Sequence, residues 1–209
     1  MKIHIHYAYD GVNRMLLESY SRDPKSEWAN HQAAVQYYYD SPTLKANNTR
    51  GKLAWVSDLS GEEHFSYDSR GKSNWTIKKL FDPVNQHHLS YKTVTEFDPI
   101  GRLTQLVYPD KETLEYQYSP RGLVKKIISV TEGEIISSLS YTPAGKINRV
   151  NYGNKVITDY QYDKRLRLSH LKTYQENNPS HLISYQYEFD GVSNILSITN
   201  QRNPEILKN

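Results

Sequence analysis

Phe97-Asp98-Pro99-Ile100-Gly101, then Leu103-Thr104-Gln105-Leu106-Val107-Tyr108, a break at Pro109-Asp110-Lys111, then Glu112-Thr113-Leu114-Glu115-Tyr116-Gln117-Tyr118, and again Ser119-Pro120-Arg121-Gly122: this stretch decides the fold. Successive side chains of a strand point to opposite faces, so Leu114, Tyr116 and Tyr118 share one face while Glu115 and Gln117 take the other. A type I turn favours Asp or Ser first, Pro second and Gly fourth. Asp98-Pro99-Ile100-Gly101 and Ser119-Pro120-Arg121-Gly122 meet all three preferences. The stretch therefore reads as a hairpin joined to the next hairpin.

The same unit returns along the whole chain. Tyr9-Asp10, Tyr39-Asp40, Tyr67-Asp68-Ser69-Arg70-Gly71, Tyr141-Thr142-Pro143-Ala144-Gly145, Tyr162-Asp163 and Phe189-Asp190 bring it to about eight copies. Phe97, Tyr118, Tyr141 and Tyr162 stand 21, 23 and 21 residues apart. That interval holds two strands of roughly 6 to 8 residues and both turns. Earlier intervals approach 30, and the surplus falls in the polar stretches 21–27 and 42–50, where insertion need not shift the strand pairing. The turns at the other ends of the hairpins are marked by Ser60-Gly61, Pro109-Asp110, Glu132-Gly133 and Gly153-Asn154. One short helix is expected, over residues 27–35.

Two turns depart from the pattern. Leu166 stands at a glycine position, and a branched side chain resists the positive φ that glycine accepts, which predicts a differently shaped turn. Asn13 is an easier replacement, and Ser193 with Asn194 is expected to supply the substitute one register later. No linker separates the copies. The predicted fold is all-β: one array of antiparallel hairpin repeats, 1–209, forming a curved, extended sheet.

Composition agrees with an aromatic rather than a leucine-rich interior. Only 37% of residues are hydrophobic, mean hydropathy is -0.77, and 18 tyrosines supply large rings whose hydroxyls need water or a partner. The 26 basic and 23 acidic residues leave a charge of +3 and are interspersed along the chain, which argues against a nucleic-acid partner. No apolar run is long enough to span a bilayer, and Met1-Lys2-Ile3-His4-Ile5-His6 alternates instead of forming a signal-peptide core. Cysteine is absent, so neither disulfides nor thiolate metal sites are available.

The motif in Tyr67-Asp68-Ser69-Arg70-Gly71-Lys72 and Phe97-Asp98-Pro99-Ile100-Gly101-Arg102 resembles the YD repeat of the Rhs family. The resemblance covers nearly the whole chain, and Arg50-Gly51-Lys52-Leu53 and Tyr108-Pro109-Asp110 match the family's connecting text. Relatives include the B and C components of bacterial insecticidal toxin complexes, Rhs effectors, wall-associated proteins and animal teneurins. The resemblance implies that hairpins wind into a hollow shell enclosing a carboxy-terminal toxin domain until delivery. It also implies export or an extracellular setting for the full-length protein, and partners that are further repeats, another shell chain or the enclosed toxin. The family's amino-terminal secretion module and its self-cleaving core segment are not recognisable, and eight hairpins are few for a closed cavity, so the chain reads as part of a longer shell. Asp98-Pro99-Ile100-Gly101 looks like the core signature but keeps register with its neighbours, so no autoprotease is assigned.

Chemistry is expected to be absent: no enzyme, cofactor or metal. His4 and His6 share a strand face, but no further ligands stand at a matching spacing, and the adjacent pair His87-His88 falls in a polar segment that reads as a loop. The motif aspartates are spread along the array, whereas two-carboxylate catalysis needs them within about 5 to 10 Å. The alternative function is a carbohydrate-binding or adhesive strip, because exposed tyrosine rings stack on sugar faces as well as on each other.

Overall fold

The computed structural model describes residues 3–21, 33–202 and 206–208, and every regular element among them is a β-strand. The chain divides into two compact units, Met1–Lys111 and Glu112–Asn209. The first contains β1 (His4–Tyr9), β2 (Met15–Ser21), β3 (Ala33–Tyr39), β4 (Leu53–Asp58), β5 (Gly61–Tyr67), β6 (Ser73–Asp82), β7 (His87–Phe97) and β8 (Leu103–Val107). Each strand pairs antiparallel with the next. The second contains β9 (Thr113–Tyr118), β10 (Val124–Ser129), β11 (Gly133–Tyr141), β12 (Ile147–Tyr152), β13 (Val156–Tyr162), β14 (Leu168–Gln175), β15 (Asn178–Phe189), β16 (Ile195–Asn200) and β17 (Ile206–Lys208), paired in the same serial way.

Among the described residues of each unit a strand touches only its ladder neighbours, so no second layer of strands or helices covers the sheet. The interior is correspondingly thin. Among the described residues the fully buried apolar side chains are Ala54 and Val150, and the other buried positions are small or polar: Ser19, Thr49, Ser66, Ser129, Thr158, Ser184, Ser197 and His64. Many larger rings and aliphatics are half-buried against the same row of the adjacent strands, while others, such as Tyr9, Phe81 and Leu196, stay exposed. In the second unit Tyr160, Leu171 and Tyr185 lie abreast on one face, while Ser140, Arg149, Asp159 and Lys172 lie abreast on the other. In the first, Tyr38, Trp55, His64 and Ile77 form such a row.

Two expectations are corrected here. Residues 33–35 are strand, not helix, because Ala33 and Val35 pair with Ser19 and Glu18; residues 27–32 lie outside the described set. His87 and His88 are not in a loop: they open β7 opposite Asp82 and Phe81, which the polar composition concealed. The insertion at 42–50 leaves the pairing intact, as expected, since Tyr39 opposes Leu53 just as Tyr67 opposes Ser73. The Asn47 N–H donates to Ser66 Oγ at 3.0 Å, the Tyr67 N–H donates to Asn47 O at 3.1 Å, and the Asn48 amide donates to Tyr67 O at 2.9 Å. Those bonds lay the insertion against β5.

Candidate functional site: the repeat turns and their ring ladder

In each unit the motif turns fall at one end of the hairpins and form a common rim. Their geometry is uniform. The Asp98 N–H donates to Arg102 O at 2.9 Å, and the Gly101 N–H returns to Asp98 O at 2.9 Å. The same two bonds close the turns that start at Asp10, Asp68, Ser119, Thr142, Asp163 and Asp190. A type I turn followed by a left-handed residue produces a one-residue bulge. The register accordingly slips beside Tyr9, Tyr39, Tyr67, Phe97, Tyr141, Tyr162 and Phe189.

The motif aspartates are turn formers. Asp98 Oδ1 accepts the N–H groups of Ile100 and Arg102 at 3.1 and 2.9 Å, and Asp163 Oδ1 accepts those of Arg165 and Arg167 at 2.8 and 2.9 Å. Where the residue is Ser119 or Thr142, the hydroxyl takes the longer bond, at 3.3 and 3.2 Å. The Arg167 N–H holds the Asp163 carboxyl below the usual range, with its guanidinium adding to the effect, against desolvation that acts the other way. For Asp98 desolvation raises the value, and the Arg102 N–H and guanidinium outweigh it to leave a net lowering.

Leu166 corrects a prediction. Its φ is +61°, with the same two closing bonds as the glycine turns, so the turn shape is unchanged. The Asp163 carboxylate and Arg167, whose Nε lies 2.6 Å from Asp163 Oδ2, hold the backbone in a conformation that leucine alone disfavours. Ser193 is also in register rather than one residue late: it occupies the glycine position at φ +77°. Asn13 adopts φ +63° as its residue type suggested.

Three kinds of contact, in differing combinations, tie turns to the following repeat. A basic side chain lies over the next motif ring: Arg14 over Tyr39 at 4.5 Å, Lys52 over Tyr67 at 4.5 Å, Lys72 over Phe97 at 5.0 Å, Lys146 over Tyr162 at 5.4 Å and Arg167 over Phe189 at 4.6 Å. The ring hydroxyl then donates back to the preceding repeat, Tyr67 to Leu53 O at 2.8 Å, Tyr141 to Val124 O at 2.7 Å and Tyr162 to Ile147 O at 2.8 Å. A third clip comes from the arginine inside the turn, Arg70 to Asp98 O at 2.6 Å, Arg121 to Pro143 O at 3.0 Å and Arg165 to Gly191 O at 2.6 Å. The sequence held this signal, since Arg14, Lys72, Arg102, Lys146 and Arg167 each follow a motif aromatic by five residues. Reading the repeats one at a time hid it.

Tyr39-Asp40 keeps the same logic around its insertion. The Asp40 N–H donates to Lys52 O at 3.1 Å and the Gly51 N–H donates to Asp40 Oδ1 at 2.5 Å. Over the insertion's sheet contact, His64 is 1% exposed, with Nε2 2.9 Å from Glu62 Oε2 and Nδ1 3.3 Å from Thr43 Oγ1. Its ring also stacks on Trp55, whose other partner Tyr38 lies parallel at 3.7 Å. Nothing in the sequence marked His64.

Charge is also distributed less evenly in space than along the chain. In the first unit the turns 10–14, 40–52, 68–72 and 98–102 carry seven basic side chains against four acidic ones, and in the second the turns 119–123, 142–146, 163–167 and 190–194 carry five against two. Most of these cations are engaged in the ring and carbonyl clips, so the excess serves repeat contacts. His4 and His6 face Ser21 and Ser19, and among the described residues no three His, Asp or Glu side chains converge to hold an ion. No helix among them is long and apolar enough to cross a membrane.

No family model and no curated protein matches the chain. Solved structures do. A crystal structure of TcdB2-TccC3-Cdc42 aligns with a TM-score of 0.76 at 22% identity, over 95% of this chain and 10% of that one. A crystal structure of TcdB2-TccC3 gives 0.75 at 22% identity over 95% and 11%, and TcdB2-TccC3 without its hypervariable C-terminal region gives 0.74 at 22% over 95% and 10%. The fold is that of a segment of TcdB2-TccC3. The YD-repeat resemblance drawn from the motifs therefore holds at the level of architecture, and the chain spans about a tenth of the length of the solved chains it matches.

Proposed function

We propose that this chain is a non-enzymatic wall segment of an Rhs-type shell that encloses a toxin domain and contributes to its delivery outside the producing cell. The observation that carries the reading is the cross-repeat stapling: ring, cation and carbonyl contacts recur at the same motif positions in both units, which suits a wall built by stacking units with no core of their own. The likeness to TcdB2-TccC3 supports it, and in that system the solved structures distinguish a hypervariable C-terminal region from the rest. The motif residues from Tyr9-Asp10 to Phe189-Asp190 are in this reading structural, and the partners are further repeats or another shell chain together with the enclosed domain.

The test is to express the chain with the coding sequence that flanks it and to image the product by electron microscopy. A hollow particle holding protease-resistant polypeptide is expected. A solid or open product, or flanking sequence with neither repeats nor a cargo domain, overturns the reading.

A further inference from the structure

The first motif hairpin repeats the last one in sequence and in geometry. Tyr7-Ala8-Tyr9-Asp10-Gly11-Val12-Asn13 matches Tyr187-Glu188-Phe189-Asp190-Gly191-Val192-Ser193, and no other motif turn of the chain reads Asp-Gly-Val. Asp10 Oδ1 accepts the N–H groups of Val12 and Arg14 at 3.0 and 2.9 Å, as Asp190 Oδ1 accepts those of Val192 and Asn194 at 2.9 and 2.8 Å. Asn13 and Ser193 both take positive φ, and the register slips beside Tyr9 as it does beside Phe189. The two hairpins thus present the same groups in the same places: a ring, and the carbonyl of the glycine that follows the aspartate.

Only the last hairpin has those groups filled. Arg167 lies over the Phe189 ring at 4.6 Å and donates to Asp190 O at 2.9 Å, while Arg165 donates to Gly191 O at 2.6 Å. At the first hairpin no cation lies over Tyr9, and neither the Tyr9 hydroxyl nor Gly11 O has a partner among the described residues. Of the eight motif aromatics Tyr9 alone is exposed, at 50%, with Ile3, Ile5 and Tyr7 exposed beside it on the same face of β1. Among the described strands of its unit β1 pairs with β2 only. An open edge carrying an apolar row invites a further strand.

We infer that the outer edge of β1 docks a hairpin repeat of the β13–β14 type from outside these 209 residues, one whose turn bears arginine at its third and fifth positions, as Asp163-Lys164-Arg165-Leu166-Arg167 does. The fifth-position arginine covers the Tyr9 ring, the third-position arginine takes Gly11 O, and the strand that follows pairs with β1. The third position of the receiving turn matters too. The turns that accept an arginine clip carry Ile100, Ala144 and Val192 there, all uncharged, and the first turn carries Val12. A second copy of this chain does not bring the required turn to the edge, because β17 already pairs with β16 and the last motif turn has Val192 and Asn194 at the two arginine positions. The inference rests on the wall reading for the class of partner and adds the edge, the receiving groups and the charge that recognises them.

The test titrates the 209-residue chain against a labelled cyclic peptide of Val156–Gln175, whose two ends oppose each other in the sheet, and follows fluorescence anisotropy. Saturable one-to-one binding is expected, about tenfold weaker with Tyr9→Ala in the chain and with Arg165→Ala and Arg167→Ala together in the peptide. Val12 is 72% exposed, and Arg70 stands at the same position of a normally closed turn, so Val12→Arg keeps the fold. Its like charge should weaken binding about threefold or more, which decides the matter if Tyr9→Ala unfolds. Val84→Ser, on a turn at the other rim, should bind as the unmodified chain does. Absence of binding, equal binding of the two peptides, or full affinity in Tyr9→Ala or in Val12→Arg overturns the docking edge. Such a failure leaves the hollow particle sought above untouched, so the edge and the wall reading can fail separately.

Discussion

An added Cβ at Gly145 meets nothing within 4 Å, so substitution there tests backbone conformation alone at φ +81°. At Gly101 the same atom falls 2.7 Å from Lys72 Cε, the side chain that crosses to Phe97. Gly145→Ala should therefore cost about 1 kcal/mol in urea denaturation, and Gly101→Ala about 0.5–1 kcal/mol more by displacing the cation. Leu166→Gly should stabilise by about 1 kcal/mol, because leucine occupies a left-handed position. Equal destabilisation by the two Gly→Ala changes would refute the double role given to Gly101. The turn carboxylates also set a pH dependence. Asp98 and Asp163 have folded-state values below 3.8, so their contribution is present above about pH 4 and disappears as pH falls through the lower folded value. Urea midpoints should stay level from about pH 7 to 5 and drop below about pH 4. Asp163→Asn retains an acceptor and should show a smaller drop.

Hairpin elements are joined by the clips, and each clip predicts a coupling. Tyr67→Phe deletes the hydroxyl bond to Leu53 O and should cost about 1 kcal/mol. Lys72→Ala should cost about 0.5–1 kcal/mol, and a double-mutant cycle with Phe97→Leu should return coupling of that order. A cycle that sums to zero would remove the cation–ring contact from the account. The inserted segment makes a sharper case. His64 joins Thr43 to Glu62 under the insertion, so His64→Ala leaves a cavity and unpaired polar groups costing about 2–4 kcal/mol. Limited proteolysis should then cut within residues 44–48 faster than in the unmodified chain. Unchanged cleavage would show that the backbone bonds from Asn47 and Asn48 suffice.

In each unit the described strands pair serially and touch only their ladder neighbours, so stability comes from nearest-neighbour terms instead of a shared core. All pairings from β9 to β17 lie inside residues 112–209. That unit produced alone should give a β circular dichroism spectrum and its own unfolding transition, and an unstructured spectrum would refute this. The sequence by itself determined the repeat, its turn positions and the alternating strands, but not the strand at 33–35 or the start of β7. Alternation and turn chemistry act over two to five residues, so Leu114-Tyr116-Tyr118 and Asp98-Pro99-Ile100-Gly101 could be read where they stand. Leu166 was misread because glycine preference is local while its turn is held by Asp163 and Arg167. Tertiary structure alone decided which cation covers which ring and that residues 41–49 fold onto β5. Those contacts join residues 15 to 25 positions apart, whose proximity depends on strand register, and register is fixed only when the whole ladder closes.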